Sequence, residues 1–128
     1  MIVTDCSVLV DALVGPDPAP VAARLVDERL AAPALVDFEF LSALRGLTLG
    51  GQLSEHRAQD ALSDFEQLPI QRWAMPDELR RRVFELRHAI SAYDAAYVVL
   101  ADVLDCPLMT RDGRLAKAAQ RHVEVIVA

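Results

Sequence analysis

Short apolar runs and longer segments with helical spacing alternate along the chain. The short runs predict strands, at 2–5, 30–33, 70–73, 108–110 and 123–127. The longer segments predict helices, at 8–14, 21–30, 34–49, 54–68, 76–88, 93–104 and 113–121. Strands that alternate with helices are typical of an α/β fold. We therefore predict a short, mostly parallel sheet flanked by helices.

Capping and turn residues mark several of these boundaries. Ser7 and Ser54 are predicted N-caps of the helices that follow them. Ser91, with Asp94 three positions later, has the form of a loose capping box. Two glycines at 50–51 are expected to end the preceding helix.

The composition fits one soluble domain over residues 1–128. The chain is 53% hydrophobic and 25% charged, which favours a sizeable core over disorder. The longest apolar run, 95–101, is far shorter than the roughly 18–20 residues of a membrane span, and the N-terminus lacks the basic stretch of a secretory signal. We expect a cytoplasmic protein without a membrane partner. Cys6 and Cys106 are predicted to be reduced, with one disulfide between them as the alternative.

Charge and missing motifs narrow the chemistry. The net charge of −6 argues against a protein that coats nucleic acid by bulk positive charge, but not against a nuclease whose carboxylates hold metal ions. The chain has no GxGxxG, GxxxxGK[ST], GxSxG or HExxH motif. Its three histidines are scattered, which disfavours structural zinc. Carboxylates are therefore the remaining candidates for the chemically active groups.

Acidic residues occur where parallel-sheet proteins bind ligands. Asp5 and Asp112 each come just after a predicted strand, at the sheet edge that holds ligands in open α/β folds. Each also has a purely structural interpretation, Asp5 as a turn residue and Asp112 as an N-cap. Asp94 either caps the apolar helix that follows it or lies at the same edge.

A further carboxylate lies on the long helix at 34–49. Glu39 has small and apolar helical neighbours, where a carboxylate is costly unless it is paired or bound to metal. The alternative is an exposed Glu favoured by the helix dipole. Asp37 competes with Glu39, and helical periodicity does not choose between them. If such acids meet, repulsion should raise their pKa values, and Mg²⁺ or Mn²⁺ would relieve it and support phosphodiester hydrolysis.

Four segments together resemble a known family over nearly the whole chain. They are 2–11, 32–39 followed by 43–45, 92–97, and 107–112. In this order and at these separations they resemble the PIN-domain ribonucleases, and more narrowly the VapC toxins of bacterial toxin–antitoxin pairs. The resemblance implies a PIN-like three-layer α/β fold. It also favours Glu39, which lies six positions past Pro33, over Asp37.

The resemblance assigns roles to particular residues. It implies a catalytic and metal-binding acidic quartet: Asp5, Glu39, Asp94 and Asp112. Ser7 and Thr110 match positions that often hold small hydroxyl residues beside the metal. RNA contacts are expected, alongside the alternative of solvated helix faces, from basic residues near the quartet: Arg111, Arg114 and Lys117.

The implied function is an Mg²⁺- or Mn²⁺-dependent endoribonuclease that forms a homodimer and is inhibited by a cognate VapB-type antitoxin. The apolar helices before residue 70 are a candidate antitoxin groove. A receiver-type phosphoacceptor domain is one alternative, disfavoured because Asp5 is followed by Cys6 and the only lysine is Lys117. A PIN-like interaction module without catalysis is another, and the intact quartet argues against it.

Overall fold

Five short strands form one parallel sheet at the centre of the protein. The computed structural model describes residues 1–128. The strands are β1 (Ile2–Thr4), β2 (Leu30–Pro33), β3 (Ile70–Trp73), β4 (Leu108–Thr110) and β5 (Val125–Val127). Their order is β3-β2-β1-β4-β5, and every neighbouring pair is parallel.

Seven helices connect the strands. They are α1 (Cys6–Val14), α2 (Pro18–Ala23), α3 (Val36–Leu49), α4 (Glu55–Gln67), α5 (Asp77–Glu85), α6 (Ala92–Val103) and α7 (Gly113–Ala119). α1 packs against α2, α3 and α4, whereas α6 packs against α5 and contacts β1, β2 and β4. Because the strand order runs outward from β1 in both directions, right-handed crossovers place α1, α3 and α4 on one face and α6 and α7 on the other. The predicted three-layer α/β fold is confirmed.

One contiguous cluster of buried apolar side chains joins the elements. Within it, Phe40 of α3 stacks on Phe65 of α4, with ring centroids 4.1 Å apart. Both rings are almost fully buried, so the pair stabilises the contact between these helices beyond simple area burial. No helix in the protein has the length and apolar character needed to cross a bilayer.

Several predicted elements have the expected bounds. The strands at 30–33, 70–73 and 108–110 are confirmed without change. Ser54 and Ser91 cap α4 and α6 as predicted, each accepting a backbone N–H bond. Other ends differ by a few residues, as is usual for fraying termini. The helix predicted at 93–104 is nearly all apolar in sequence and therefore expected to be buried, but its first residue, Tyr93, is 67% exposed.

The helix predicted at 21–30 is wrong. The structure has only the short α2, which begins at Pro18 and ends at Ala23. Asp27 then adopts a left-handed backbone with φ 67°, and Leu30 pairs with Ile2 in the sheet. A left-handed residue and a strand partner both exclude a continued helix.

The predicted Ser7 cap is also wrong. Asp5 caps α1, because its Oδ1 accepts the Val8 N–H at 3.2 Å, and the helix therefore begins at Cys6. The Ser7 hydroxyl instead donates to the same carboxylate. Either residue type is a good cap, so local preference alone does not select between them.

Replacing Phe65 by Ala should lower the free energy of unfolding by about 3–5 kcal/mol, because it removes a buried ring and the stacking partner of Phe40. Urea unfolding followed by circular dichroism measures this change. The control is Phe84→Ala, which removes a ring that is 66% exposed and should cost no more than about 0.5 kcal/mol. Equal losses in the two variants would contradict this description of the core.

Candidate active site

Four helices begin at the same edge of the sheet, and each carries one member of the acidic quartet. α1, α3 and α7 follow the carboxyl ends of β1, β2 and β4, and α6 runs back toward the start of β4. Asp5 and Asp112 are the N-caps of α1 and α7. Glu39 and Asp94 lie in the first turns of α3 and α6. The parallel topology thus places these distant residues at the edge where α/β folds bind ligands.

Asp5 is the most buried member of the quartet, at 5% exposure. Its Oδ1 accepts the Ser7 hydroxyl at 2.6 Å and the Val8 N–H at 3.2 Å, and its Oδ2 accepts the Thr110 hydroxyl at 2.5 Å. A carboxylate has about four lone-pair sites. These bonds hold Asp5 in one orientation and leave one lone pair, on Oδ2, for a ligand.

Ser7 and Thr110 connect Asp5 to the turn after β4. The backbone N–H of Arg111 donates to the Ser7 hydroxyl at 3.0 Å, and that of Asp112 donates to the Thr110 hydroxyl at 3.0 Å. Each hydroxyl therefore accepts from the backbone and donates to Asp5. The two hydroxyls act here as positioning groups for this carboxylate.

Glu39 and Asp37 have different partners. Arg72, on β3, donates from Nε to both oxygens of Asp37, at 2.8 and 2.9 Å. Glu39 has no basic partner, and its Oε1 accepts the hydroxyl of Tyr97 at 2.5 Å. The structure thus places Glu39 within electrostatic range of Asp5 and Asp94, whereas Asp37 pairs with Arg72.

The sequence pattern places Tyr97 within an apolar helix and does not predict its contact with Glu39. The available signal was its hydroxyl within an otherwise apolar stretch of α6. A buried tyrosine hydroxyl usually has a hydrogen-bond partner.

Burial and mutual repulsion raise the pKa values of three of the four carboxyls. Burial is the largest cause for Asp5, Glu39 and Asp94. Repulsion from Asp94 adds to the pKa of Asp5 and Glu39, and repulsion from Asp112 adds to the pKa of Asp94. The direction agrees with the prediction from sequence, although burial contributes more than the repulsion on which that prediction rests.

Cys6 lies close to the quartet. Burial, followed by the charges of Glu39 and Asp5, raises the pKa of its thiol to about 12. The thiol is therefore protonated at neutral pH and is a poor metal ligand. Cys6 and Cys106 are both free, which confirms the prediction of reduced cysteines.

A cleft of about 260 Å³ opens beside Asp94 and Asp112. Arg114 lines the same cleft, together with Ile90 and Leu115. Asp112 is exposed and Asp94 is half-buried. A ligand in solution can therefore reach these two acids more easily than the enclosed Asp5.

The predicted RNA-contacting residues occupy three different places. Arg111 forms an ion pair with Asp11 and donates to the backbone carbonyl of Ala128 at 3.0 Å. Arg114 lines the cleft, whereas Lys117 is exposed on α7 outside the cleft lining. Of the three, only Arg114 is beside the acids without an ion-pair partner.

The chemistry of the quartet fits a hard divalent cation, because carboxylate oxygens are the ligands that such ions prefer. No member of the quartet forms an ion pair with Lys, Arg or His; all five ion pairs of the protein involve other acids. The carboxylate oxygens do not converge on one point, since no group of three His, Cys, Asp or Glu side chains is arranged to hold a metal ion. A metal ion at this edge would therefore require some of these side chains to rotate.

Comparisons with known proteins agree with this architecture. The PIN domain family model matches residues 2–121. Ribonuclease VapC12 of Mycobacterium tuberculosis is 37% identical over 98% of this chain and 97% of its own length. Ribonuclease VapC1 of the same species is 40% identical over 96% of this chain and 94% of its own length.

The fold is shared with a solved structure of much lower identity. FitAcB from Neisseria gonorrhoeae superposes with a TM-score of 0.73 at 18% identity, covering 99% of this chain and 97% of that one. The family model and the relatives both extend over nearly the full sequence. The chain therefore belongs to the PIN domain family and, within it, to the VapC proteins.

Proposed function

We propose that this protein is a metal-dependent endoribonuclease that acts as the toxin of a toxin–antitoxin pair. The observation that carries the proposal is the gathering of the acidic quartet, without basic partners, at the carboxyl edge of the sheet. Relatives at 37% and 40% identity are named ribonucleases, which supports RNA as the substrate. Membership of the PIN family removes the receiver-type alternative.

The quartet would hold Mg²⁺ or Mn²⁺. Asp5 would contribute the lone pair left on Oδ2, and Glu39 would contribute Oε2, since Oε1 accepts from Tyr97. Asp94 and Asp112 would complete the site from the side of the cleft. A bound ion of this kind polarises a phosphodiester and makes water nucleophilic near neutral pH.

Other residues of this chain would bind the RNA and keep the site in place. The cleft beside Asp94 and Asp112 would admit the RNA backbone, and Arg114 on its wall would pair with a phosphate. A bound cation would offset the burial and repulsion that raise the pKa values of Glu39 and Asp94 in the metal-free protein. Asp5, held by its three donors, would keep its place throughout the reaction.

The proposed antitoxin would bind away from this edge. An apolar groove of about 560 Å³ lies between α1, α2 and the end of α4, and includes Leu13, Leu25, Val26 and Leu68. Asp27 and Glu28 line it too. A helix with one apolar face and flanking basic residues would complement this surface. The homodimer that the family resemblance implies stays a prediction.

The protein should cleave RNA only with Mg²⁺ or Mn²⁺, and Asp5→Asn or Asp94→Asn should lower the rate by more than about 100-fold, the upper end of the range for outer-shell partners of a metal. The assay follows total cellular RNA on a denaturing gel, with and without a chelator. Asp64→Asn, an exposed carboxylate on α4, serves as the matched control and should retain full activity.

Cleavage that persists in chelator, or full activity in both variants, would remove the metal mechanism. No cleavage of any RNA by the wild-type protein with either ion would favour the interaction module without catalysis.

Asp94→Asn should stabilise the metal-free protein at pH 7.5. Folding raises the pKa of Asp94 above its ordinary value of 3.8, so stability falls as the pH rises from 3.8 through the raised value. An asparagine at this position does not titrate, so the variant avoids this loss of stability. The melting temperature should rise by roughly 1–3 °C, a small effect because solvent screens the half-exposed carboxylate.

The difference should shrink as the pH falls through the raised pKa of Asp94 toward 3.8, because the wild-type carboxyl then becomes protonated. Thermal melts across this range, with the exposed Asp17→Asn as control, measure it. A variant that melts below the wild type at pH 7.5 would contradict the assigned cost of this charge.

Val26→Arg should weaken antitoxin binding by at least about tenfold, because it places a charge in the apolar groove, where burying it without a partner is costly. Val26 is 64% exposed, so the fold should tolerate the change. Titration calorimetry with the protein encoded by the neighbouring gene provides the measurement. Val103→Arg, at an exposed position on α6, is the control. Equal affinity of wild type and Val26→Arg would place the antitoxin elsewhere.

A further inference from the structure

Tyr97 is the one polar side chain in the most deeply buried part of α6. The stretch from Ala95 to Ala101 is buried throughout, and Tyr97 itself is only 1% exposed. Its hydroxyl donates to Glu39 Oε1 at 2.5 Å and to no other group. The bond joins residues 58 positions apart.

Packing alone does not explain the hydroxyl. A phenylalanine at this position would fill the same space and bring no polar atom into the interior. Burying a hydroxyl is costly unless it is hydrogen-bonded, so the single partner of this group matters. That partner is the Glu39 carboxylate, which lies within range of Asp5 and Asp94.

The bond also connects the two outer layers of the fold. Glu39 lies on α3 and Tyr97 on α6, which cover opposite faces of the sheet. A Glu side chain has three rotatable torsions and loses considerable rotamer freedom when it is ordered. A donor fixed by the packed core removes part of that freedom before any ligand arrives.

We propose that Tyr97 is a positioning residue for metal binding: by holding Oε1 of Glu39, its hydroxyl presents Oε2 toward Asp5 and Asp94. This inference rests on the proposed metal-dependent function. Tyr97 does not contact the metal or RNA. It acts as a neutral donor through Glu39 alone, so its contribution depends on the Glu39 carboxylate being present.

The test uses Mn²⁺ binding by the protein without RNA, measured from the electron paramagnetic resonance signal of free Mn²⁺. Tyr97→Phe should weaken Mn²⁺ binding by roughly tenfold, within the range for outer-shell partners of a metal. Tyr93→Phe makes the same chemical change at a position that is 67% exposed and should bind Mn²⁺ as the wild type does. In cleavage assays, Tyr97→Phe should lower kcat and leave KM for RNA unchanged.

A double-mutant cycle separates positioning from general packing. Glu39→Gln should weaken Mn²⁺ binding more than Tyr97→Phe does, and adding Tyr97→Phe to Glu39→Gln should cause no further loss. Wild-type Mn²⁺ affinity in Tyr97→Phe, or an equal loss in both backgrounds, would overturn the positioning role. Absence of Mn²⁺ binding by the wild type, or unchanged binding by Glu39→Gln, would overturn the proposed function instead.

A measurement on the unmutated side chain covers the case in which Tyr97→Phe does not fold. The protein has only two tyrosines, so labelling the ring carbon that bears the hydroxyl gives two NMR signals, and Tyr93→Phe assigns them. Mg²⁺ should shift the Tyr97 signal more than the Tyr93 signal. A Tyr97 signal that does not move at saturating Mg²⁺ would contradict the proposal.

Discussion

The main constraint on this protein is the accumulation of negative charge at one edge of its sheet. Four carboxylates lie there without a basic partner. Each occupies the N-cap or first turn of a helix, where unpaired backbone N–H groups and the positive end of the helix dipole favour an anion. Because the strands are parallel, their connections bring four such helix starts to the same edge. The topology therefore both gathers the charges and offsets part of their cost.

The helix starts offset only part of the cost of gathering these charges, and the four carboxylates differ in their surroundings. Asp5 is enclosed and receives three hydrogen bonds, and Glu39 is held by Tyr97. Asp94 and Asp112 are more accessible and border a cleft. A rigid pair and a more accessible pair together suit a site that closes around a cation. The raised pKa values of Asp5, Glu39 and Asp94 reflect the remaining cost.

Local patterns predicted the parts of the fold that depend on local physics. The strands at Leu30–Pro33, Ile70–Trp73 and Leu108–Thr110 are short apolar runs between helix signals, and their predicted bounds are confirmed. The helix predicted at 21–30 is wrong because the apolar spacing continues beyond the true helix end. The backbone at Asp27 is left-handed, and Leu30 pairs with β1 in the sheet. Spacing carries no information about a strand partner.

The candidate site shows the same difference between what local sequence patterns predict and what depends on the folded structure. Asp5 and Asp112 were predicted from their positions after strands, but helical periodicity did not separate Glu39 from Asp37. The family resemblance favours Glu39, and the tertiary structure supplies the physical distinction, because Arg72 pairs with Asp37 and Tyr97 binds Glu39. The partners of Glu39 and Asp37 lie 58 and 35 positions away in sequence. Contacts at such separations depend on the assembled sheet and are invisible to local patterns.

The proposed function depends on the acidic quartet forming a divalent-metal site. Anomalous diffraction from crystals soaked in Mn²⁺ tests it most directly, because the signal locates the ion independently of any assay. We expect a peak at the carboxyl edge of the sheet, coordinated by oxygens of Asp5, Glu39, Asp94 and Asp112. A saturating soak that shows no peak there, or peaks only elsewhere on the protein, would contradict the account.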